Sequence, residues 1–172
     1  MQSIYDLNMK MATDMLAEKG QKSYRAKQLF QWLYRKRVGS FQEMTDMPAS
    51  LLEELAQEYS IEPIKEITRQ VARDGTTKYL FQLADGSSVE TVLMHFHFGE
   101  SLCVTSQLGC NMGCTFCASG LLKKQRDLTA GEIVGQVMFV QKELDKIGKR
   151  VDNVVIMGTG EPFDNYDNVM RF

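Results

Sequence analysis

The stretch that most constrains the fold runs from position 101 to position 158 and predicts a βαβ unit. SLCVTSQ (101–107) is typical of a short strand, and a loop that carries three cysteines follows it. Thr129 and Glu132 then stand in the S/T-x-x-E pattern that caps a helix N-terminus. VDNVVIMG (151–158) predicts a second strand, buried on both faces of a parallel sheet. Strand, loop, helix and strand in this order make one βαβ unit.

The residues before this unit predict a helical region and then an antiparallel β region. Three short amphipathic helices are expected at about 6–19, 23–38 and from Pro48 onward. Three β-rich segments follow, separated by the turn signals Asp74-Gly75 and Asp85-Gly86, and they predict a meander over 66–73, 77–83 and 88–98.

These patterns together predict an α/β fold with an α+β accessory region. We expect a helical domain at 1–62, an antiparallel β segment at 63–98 and a β/α region at 99–172. One βαβ unit cannot cover both faces of its own sheet, and the chain stops at Phe172 in a further helical segment. We therefore expect the N-terminal portion of a longer protein, or a sheet that is completed by assembly.

The composition is that of an ordinary globular protein, with 44% hydrophobic and 24% charged residues. No apolar run approaches membrane-spanning length, and the N-terminus lacks the features of a secretory signal. We therefore expect a cytoplasmic protein with no membrane partner, in a compartment where thiols stay reduced. The net charge of −2 does not indicate nucleic-acid binding. However, the stretch 19–37 contains basic residues and no acidic one, which is typical of a phosphate-binding surface or of a solvated helix face.

All four cysteines of the chain lie between positions 103 and 117. Cys110, Cys114 and Cys117 have the spacing C-x3-C-x2-C, which suits a [4Fe–4S] cluster that is held at three irons and keeps the fourth iron open. A zinc site usually takes ligand pairs from separate loops, and the only histidines, His95 and His97, lie on a predicted strand. Zinc and buried structural thiols remain the alternatives.

The cysteine motif, with Phe116 as its aromatic residue, resembles the signature of the radical S-adenosylmethionine (SAM) superfamily. MGTGEP (157–162) follows the next strand, where that superfamily carries a Gly-Glu-Pro-type motif. The resemblance implies a partial TIM-like barrel, of which this chain holds the first βαβ part. It also implies a [4Fe–4S] cluster on the three cysteines, and SAM contacts from Phe116, Gly160 and Glu161. Taken alone, MGTGEP is more typical of a glycine-rich turn that ends a strand.

Four segments together resemble the RlmN/Cfr-type RNA methyltransferases, and the RlmN branch best: YRAKQLFQWLYRKR, DGSSVETVLM, CVTSQLGCNMGCTFCASG and GTGEPFDN. This resemblance implies methylation of C2 of adenosine in 23S rRNA and tRNA through a methyl-cysteine intermediate, with an electron donor for the cluster. It implies that Glu90 is the proton acceptor and that Cys103 forms a disulfide when the RNA is released. The simpler interpretations are an exposed strand residue for Glu90 and a small apolar residue for Cys103.

No cysteine follows Cys117, whereas the family carries its methyl group on a cysteine near the C-terminus. We therefore expect this chain to be an inactive fragment. The resemblance also implies that the N-terminal domain binds RNA, with six basic candidates: Lys22, Arg25, Lys27, Arg35, Lys36 and Arg37. The alternatives are a Cfr-type C8-adenosine methyltransferase, another radical SAM enzyme, and a non-catalytic metal-binding or RNA-binding module. The sequence does not indicate an oligomeric state.

Overall fold

The computed structural model describes residues 1–172 and divides them into two compact units, Met1–Pro63 and Ile64–Phe172. The helices are α1 (Met9–Glu18), α2 (Tyr24–Phe30), α3 (Ala49–Glu58), α4 (Ala130–Asp145) and α5 (Tyr166–Arg171). The strands are β1 (Gln2–Ser3), β2 (Tyr59–Ser60), β3 (Ile64–Val71), β4 (Thr77–Leu83), β5 (Ser88–Phe96), β6 (Gly99–Cys103), β7 (Gln107–Leu108), β8 (Arg126–Asp127) and β9 (Val151–Val155). None of the helices combines the length and the hydrophobicity that a bilayer crossing requires.

The first unit contains the three predicted helices. The Asn8 side chain caps the start of α1 by accepting a hydrogen bond from Met11 N at 2.9 Å. Residues 4–6 form a separate 3₁₀ turn, so the helix begins after the predicted position 6. α2 continues as a π-helix over Gln31–Lys36, which ends at Arg37 in the left-handed region, with φ +53°. The buried apolar residues of this unit include Ala12, Leu16, Leu29, Leu33, Leu51 and Leu55.

The second unit is built on a five-stranded sheet in the order β3-β4-β5-β6-β9. Neighbouring strands from β3 to β6 are antiparallel, whereas β9 is parallel to β6 and reaches it through α4. The predicted meander and the predicted βαβ unit are therefore confirmed, and they share one sheet. The predicted capping box is also present, since Glu132 N donates to Thr129 Oγ1 at 3.2 Å and Thr129 N donates to Glu132 Oε2 at 2.9 Å.

α4 covers one face of this sheet. Its residues Ile133, Val140 and Leu144 belong to the same buried cluster as Phe81 and Leu102 of the strands. The prediction that β9 is buried on both faces is wrong for this chain. β9 pairs with β6 alone and forms an edge of the sheet, so Val154 is 38% exposed.

Candidate active site at the strand ends

A fully buried glutamine on α4 fixes the backbone that leaves β6. Gln136 Oε1 accepts hydrogen bonds from Thr105 N (2.9 Å) and Thr91 Oγ1 (2.8 Å), and its Nε2 donates to Thr105 O (2.9 Å). Because one buried side chain satisfies both backbone groups of Thr105, the chain leaves the sheet ladder at a fixed place. This explains why the first strand of the βαβ unit ends at Cys103 and not at the predicted position 107.

The MGTGEP segment packs directly against the residues that follow β6. Gly158 N donates to Val104 O at 3.0 Å. A Cβ atom at Gly158 would lie 2.6 Å from Thr105 Oγ1, so a larger residue does not fit there. Gly160 has φ +112°, and a Cβ atom there would lie 2.7 Å from the Cβ atom of Gln107. Both glycines are thus required by close packing, in addition to any ligand that they bind.

Gly160 and Glu161, the two expected SAM contacts, are held from both sides. Glu161 N donates to Gln107 Oε1 at 2.8 Å. Glu161 Oε1 accepts from Phe163 N at 3.0 Å and so caps the 3₁₀ turn Pro162–Asn165. The backbone of this segment is therefore fixed by protein groups alone.

Asn165 anchors the other end of this 3₁₀ turn. Its side chain is buried, and its Nδ2 donates to Ser106 O (2.8 Å) and to Leu128 O (2.9 Å). The side chains of Gln107 and Asn165 therefore join the segments that follow β6 and β9, while Gln136 ties the end of β6 to α4 and β5.

None of these three residues was predicted from the sequence as part of the site. A signal for Gln136 was present, because it lies three positions after Ile133 and four before Val140, on a side of the helix where a polar residue needs a buried partner. Gln107 and Asn165 lie in segments read as a strand end and a helix start, and their role depends on contacts between distant parts of the chain.

The cysteine loop, residues 110–117, lies between β7 and β8. Its base is closed by hydrogen bonds from Cys110 N to Leu122 O (2.8 Å) and from Gln125 N to Leu108 O (2.7 Å). Cys114 and Cys117 are exposed, Cys110 is half-buried, and all four cysteines are free thiols. The disulfide implied for Cys103 is therefore not supported. Phe116 is 91% exposed, so it is not packed into the protein.

The donor set of this loop fits an iron–sulfur cluster in its chemistry. It offers three free thiols within eight positions, and the backbone N–H and the hydroxyl of Ser119 hold the pKa of the Cys117 thiol below its usual value. A thiolate is the form that binds metal. However, no group of three or more His, Cys, Asp or Glu side chains is arranged as a metal site. The three sulfur atoms are therefore not gathered around one position in this structure.

Glu90 and Cys103 lie on the same face of the sheet. Cys103 is directly opposite Val92 of β5, and Val92 and Glu90 are two positions apart on one strand. This is the face that α4 does not cover. Burial raises the pKa of the Cys103 thiol, although a hydrogen bond from the Met157 backbone opposes the shift.

A cavity of about 460 Å³ opens beside Glu90 at the strand ends. It brings Glu90 close to the MGTGEP segment and to the base of the cysteine loop. Cys103 and the three loop thiols do not line this cavity. Its lining includes Glu90, Thr105, Gln107, Gly109, Leu122 and Thr159.

The six basic candidates of the first unit fall into two groups. Arg25 is engaged within its unit, since its Nη1 donates to Asp46 O (2.7 Å) and to Gln28 Oε1 (2.8 Å). Arg37 is also half-buried and donates to Tyr34 O at 3.2 Å. The other four are exposed: Lys22, Lys27, Arg35 and Lys36.

Two of the exposed basic residues flank an aromatic cleft. Lys27 and Arg35 border a cleft of about 480 Å³ that Phe30 and Tyr34 also line. The centroids of these two rings are 5.3 Å apart. Cations beside aromatic rings are a combination that single-stranded nucleic acids bind.

Residues 2–61 match the family model described as the ribosomal RNA large subunit methyltransferase N-terminal domain. The curated relatives include proteins named "Probable dual-specificity RNA methyltransferase RlmN". That of Streptococcus suis (strain 98HAH33) is 56% identical over 172 residues, which are 99% of this chain and 46% of the relative. That of Enterococcus faecalis (strain ATCC 700802 / V583) is 56% identical over 173 residues, or 99% of this chain and 48% of the relative.

The fold is also that of a solved structure, a radical SAM methyltransferase from Sphaerobacter thermophilus. The match has a TM-score of 0.93 and 39% sequence identity, and it covers 99% of this chain and 50% of that one. This likeness confirms the predicted fold class. The chain spans about half the length of the curated relatives and of the solved structure that it matches.

Proposed function

We propose a function on the premise that this chain belongs to the RlmN/Cfr family and corresponds to the N-terminal half of its RlmN members. It would form the first part of a radical SAM methyltransferase that methylates C2 of adenosine in 23S rRNA and tRNA. The observation that carries this proposal is the meeting of two motifs at one sheet edge. The cysteine loop follows β6 and MGTGEP follows β9, and these strands are parallel neighbours. Sites on parallel sheets form at the carboxyl ends of such strands.

Cys110, Cys114 and Cys117 would hold a [4Fe–4S] cluster. When bound and reduced, a cluster with three protein thiolates supplies one electron to SAM bound at its open iron. Gly160, Glu161 and Phe116 are the proposed SAM contacts. The chemistry also requires an electron donor, which we propose as a partner in the cytoplasm.

Glu90 is the proposed proton acceptor. The C2 proton is lost after the new carbon has been added at C2 of adenine, and this step needs a base within hydrogen-bond reach of that proton. The Glu90 side chain is exposed and lines the same cavity as Thr159, so an adenine ring inserted into this cavity would contact the Glu90 carboxylate. Lys78 keeps the carboxylate in place, since its Nζ lies 3.0 Å from Glu90 Oε1.

Cys103 is the proposed thiol of the RNA-release step. It lies on the same open face of the sheet as Glu90, one strand away. Its raised pKa keeps the thiol protonated at neutral pH, so it would have to lose this proton before it reacts. The methyl-carrying cysteine would belong to the part of the protein that corresponds to the other half of the relatives.

The N-terminal unit is the proposed RNA-binding part. Its exposed cations Lys22, Lys27, Arg35 and Lys36 supply the charge that phosphates require, and the cleft between Lys27 and Arg35 supplies aromatic surface. Arg25 and Arg37 have protein partners and are the weaker candidates of the original six.

The test uses the complete protein, reconstituted without oxygen and supplied with SAM, a reductant, and either a 23S rRNA fragment or tRNA. We expect about four irons and four sulfides per chain and the formation of 2-methyladenosine, measured by mass spectrometry of the digested RNA. The Cys114→Ala variant should lose iron and activity together. A zinc-loaded, iron-free protein that methylates neither RNA would refute the proposal, and 8-methyladenosine as the product would reassign it to the C8 branch.

A further inference from the structure

The Gln107 side chain is fully buried, and both polar atoms of its amide have hydrogen-bond partners within the protein. Its Oε1 accepts from Glu161 N at 2.8 Å. Its Nε2 donates to Asp127 Oδ1 at 2.7 Å and to Asp164 Oδ2 at 3.0 Å. An amide group has two N–H donors, and here each is directed to a different carboxylate.

Lys124 closes this arrangement into a network. Its Nζ lies 2.9 Å from Asp127 Oδ1 and 2.7 Å from Asp164 Oδ2, the two carboxylate oxygens that Gln107 also contacts. These contacts hold the pKa of Asp164 below its usual value, with Lys124 as the first cause and Gln107 as the second. Lys124 ends the segment that returns from the cysteine loop, whereas Asp164 follows MGTGEP. The network therefore ties the two motifs together.

Gly160 and Gln107 are matched in shape. The positive φ of Gly160 turns the backbone so that Glu161 N points at the glutamine, and the missing side chain leaves the space that Gln107 fills. The orientation of the Gly160–Glu161 peptide is thus set by a side chain from the other strand end.

We propose that Gln107 is a positioning residue for SAM: it presents the Gly160–Glu161 backbone to the SAM amino group and keeps that segment in register with the cysteine loop. This inference rests on the proposed function, in which Gly160 and Glu161 contact SAM. It adds Gln107 to that function as a residue that acts without touching SAM. Gln107 has no charge of its own, so its effect is exerted through the backbone that it holds.

The hydrogen-bond pattern predicts which side chains at position 107 can maintain the network. Position 107 needs one acceptor toward Glu161 N and two donors toward carboxylates, which an amide provides and a carboxylate does not. Glu at this position would place three carboxylates together, at a cost in free energy that a neutral partner should relieve. In Gln107→Glu combined with Asp164→Asn, the new carboxylate accepts from both Glu161 N and the Asn amide, while the contact with Asp127 stays without a donor. The double variant should therefore recover part of what Gln107→Glu alone loses.

The decisive measurement is the SAM dissociation constant of the reconstituted complete protein, obtained by equilibrium dialysis. We expect Gln107→Met and Gln107→Glu to weaken SAM binding about tenfold or more, since two or more buried hydrogen bonds are lost. Asp164→Asn alone should weaken it less, and Gln107→Glu/Asp164→Asn should bind SAM about threefold or more tightly than Gln107→Glu alone, because one of the two carboxylate contacts is removed. Gln70→Met, an exposed site on β3, is the matched control and should bind as the parent protein does.

Two further readouts separate positioning from general structure. KM for SAM should rise in Gln107→Glu, while kcat at saturating SAM stays within about threefold, because Gln107 does not touch reacting atoms. In the cluster-free protein without SAM, hydrogen exchange at the Glu161 amide should increase in Gln107→Met and Gln107→Glu and return toward the parent value in the double variant.

The outcomes distinguish this inference from the function on which it rests. If the parent protein binds SAM and all Gln107 variants bind it equally well, the positioning role is overturned and the proposed function stands. If the parent protein loaded with its cluster does not bind SAM, the proposed function falls and the SAM role of Gln107 falls with it. Because Gln107→Met removes every side-chain hydrogen bond at this position and can unfold the region, failure of the double variant to recover any SAM binding also counts against the inference.

Discussion

Lys78 and Glu90 form an ion pair across two antiparallel strands, with Lys78 Nζ 3.0 Å from Glu90 Oε1. Lys78 is directly opposite Val92 and Glu90 is directly opposite Leu80, so the pair is diagonal on the sheet face that α4 leaves open. Cys103 lies on the same face, next to Val92. The two residues with proposed roles in proton removal and RNA release are therefore on neighbouring strands, and a cation stands beside the first.

This arrangement predicts a graded effect of substitutions on methyl transfer. Lys78→Met should lower the rate by about two- to fivefold, because an exposed ion pair contributes at most about 1 kcal/mol. Glu90→Gln should lower it by about a hundredfold or more, since an amide cannot accept the proton. The measurement is the initial rate of 2-methyladenosine formation with the complete protein. Lys65→Met, which removes an exposed charge elsewhere in the sheet, is the control. Equal losses in Lys78→Met and Lys65→Met would contradict a specific role for the ion pair.

Gly160→Ala should disrupt the MGTGEP segment more than a glycine replacement that costs backbone strain alone. Gly160 combines a positive φ with a Cβ position 2.7 Å from Gln107, whereas Gly148 has φ +68° and nothing within 4 Å of its Cβ position. Alanine at either position costs about 1 kcal/mol or more of stability, because its backbone must adopt a positive φ. Only Gly160→Ala also displaces a buried side chain. Chemical denaturation of both variants measures the difference, and equal losses of stability would show that the close approach to Gln107 is unimportant.

The parts of the site that the sequence predicted are those fixed by local pattern. The capping box of Thr129 and Glu132, the turns of the meander and the order of strand, loop, helix and strand all follow from short-range rules. The cysteine loop and MGTGEP were recognised as motifs, and strand order places them at one edge. Their exact junction could not be predicted, because it depends on the buried amides of Gln107 and Gln136, which bond groups as far as 57 and 45 positions away along the chain.

The burial of β9 was predicted wrongly from a local pattern. A mostly apolar segment between polar turns predicts a central strand, but burial depends on which strands flank it. In this chain β9 has one neighbour, so Asp152, Asn153 and Val154 are exposed. Asp152 Oδ2 instead accepts from Glu100 N at 2.9 Å, which the periodicity of a single strand does not indicate.

Cys103 should ionise at a higher pH in the folded protein than in the unfolded chain. Burial disfavours the charged thiolate and raises its pKa above the ordinary value of about 8.5, and the Met157 hydrogen bond only partly offsets this. The alkylation rate at Cys103, followed by site-resolved mass spectrometry in the cluster-free protein, should therefore reach half its maximum at a higher pH than in urea. The pH midpoint is compared and not the absolute rate, because burial also slows the reagent. A folded midpoint at or below the unfolded one would contradict the predicted direction.

RNA binding should depend on Lys27 and Arg35 through phosphate charge, and not on Arg25. Lys27 and Arg35 are exposed beside the aromatic cleft, whereas Arg25 is engaged by Asp46 O and Gln28 within its own unit. The double substitution Lys27→Gln/Arg35→Gln should weaken binding and reduce the slope of log K against log salt by about 1.4, or about 0.7 for each single-strand phosphate contact that is lost. Arg25→Gln should lower the stability of the first unit and leave this slope unchanged. The measurement is RNA affinity across a salt series with the complete protein. If the slope of log K against log salt is unchanged in the double variant, or is reduced in a folded Arg25→Gln protein, the RNA-binding surface does not lie at the cleft.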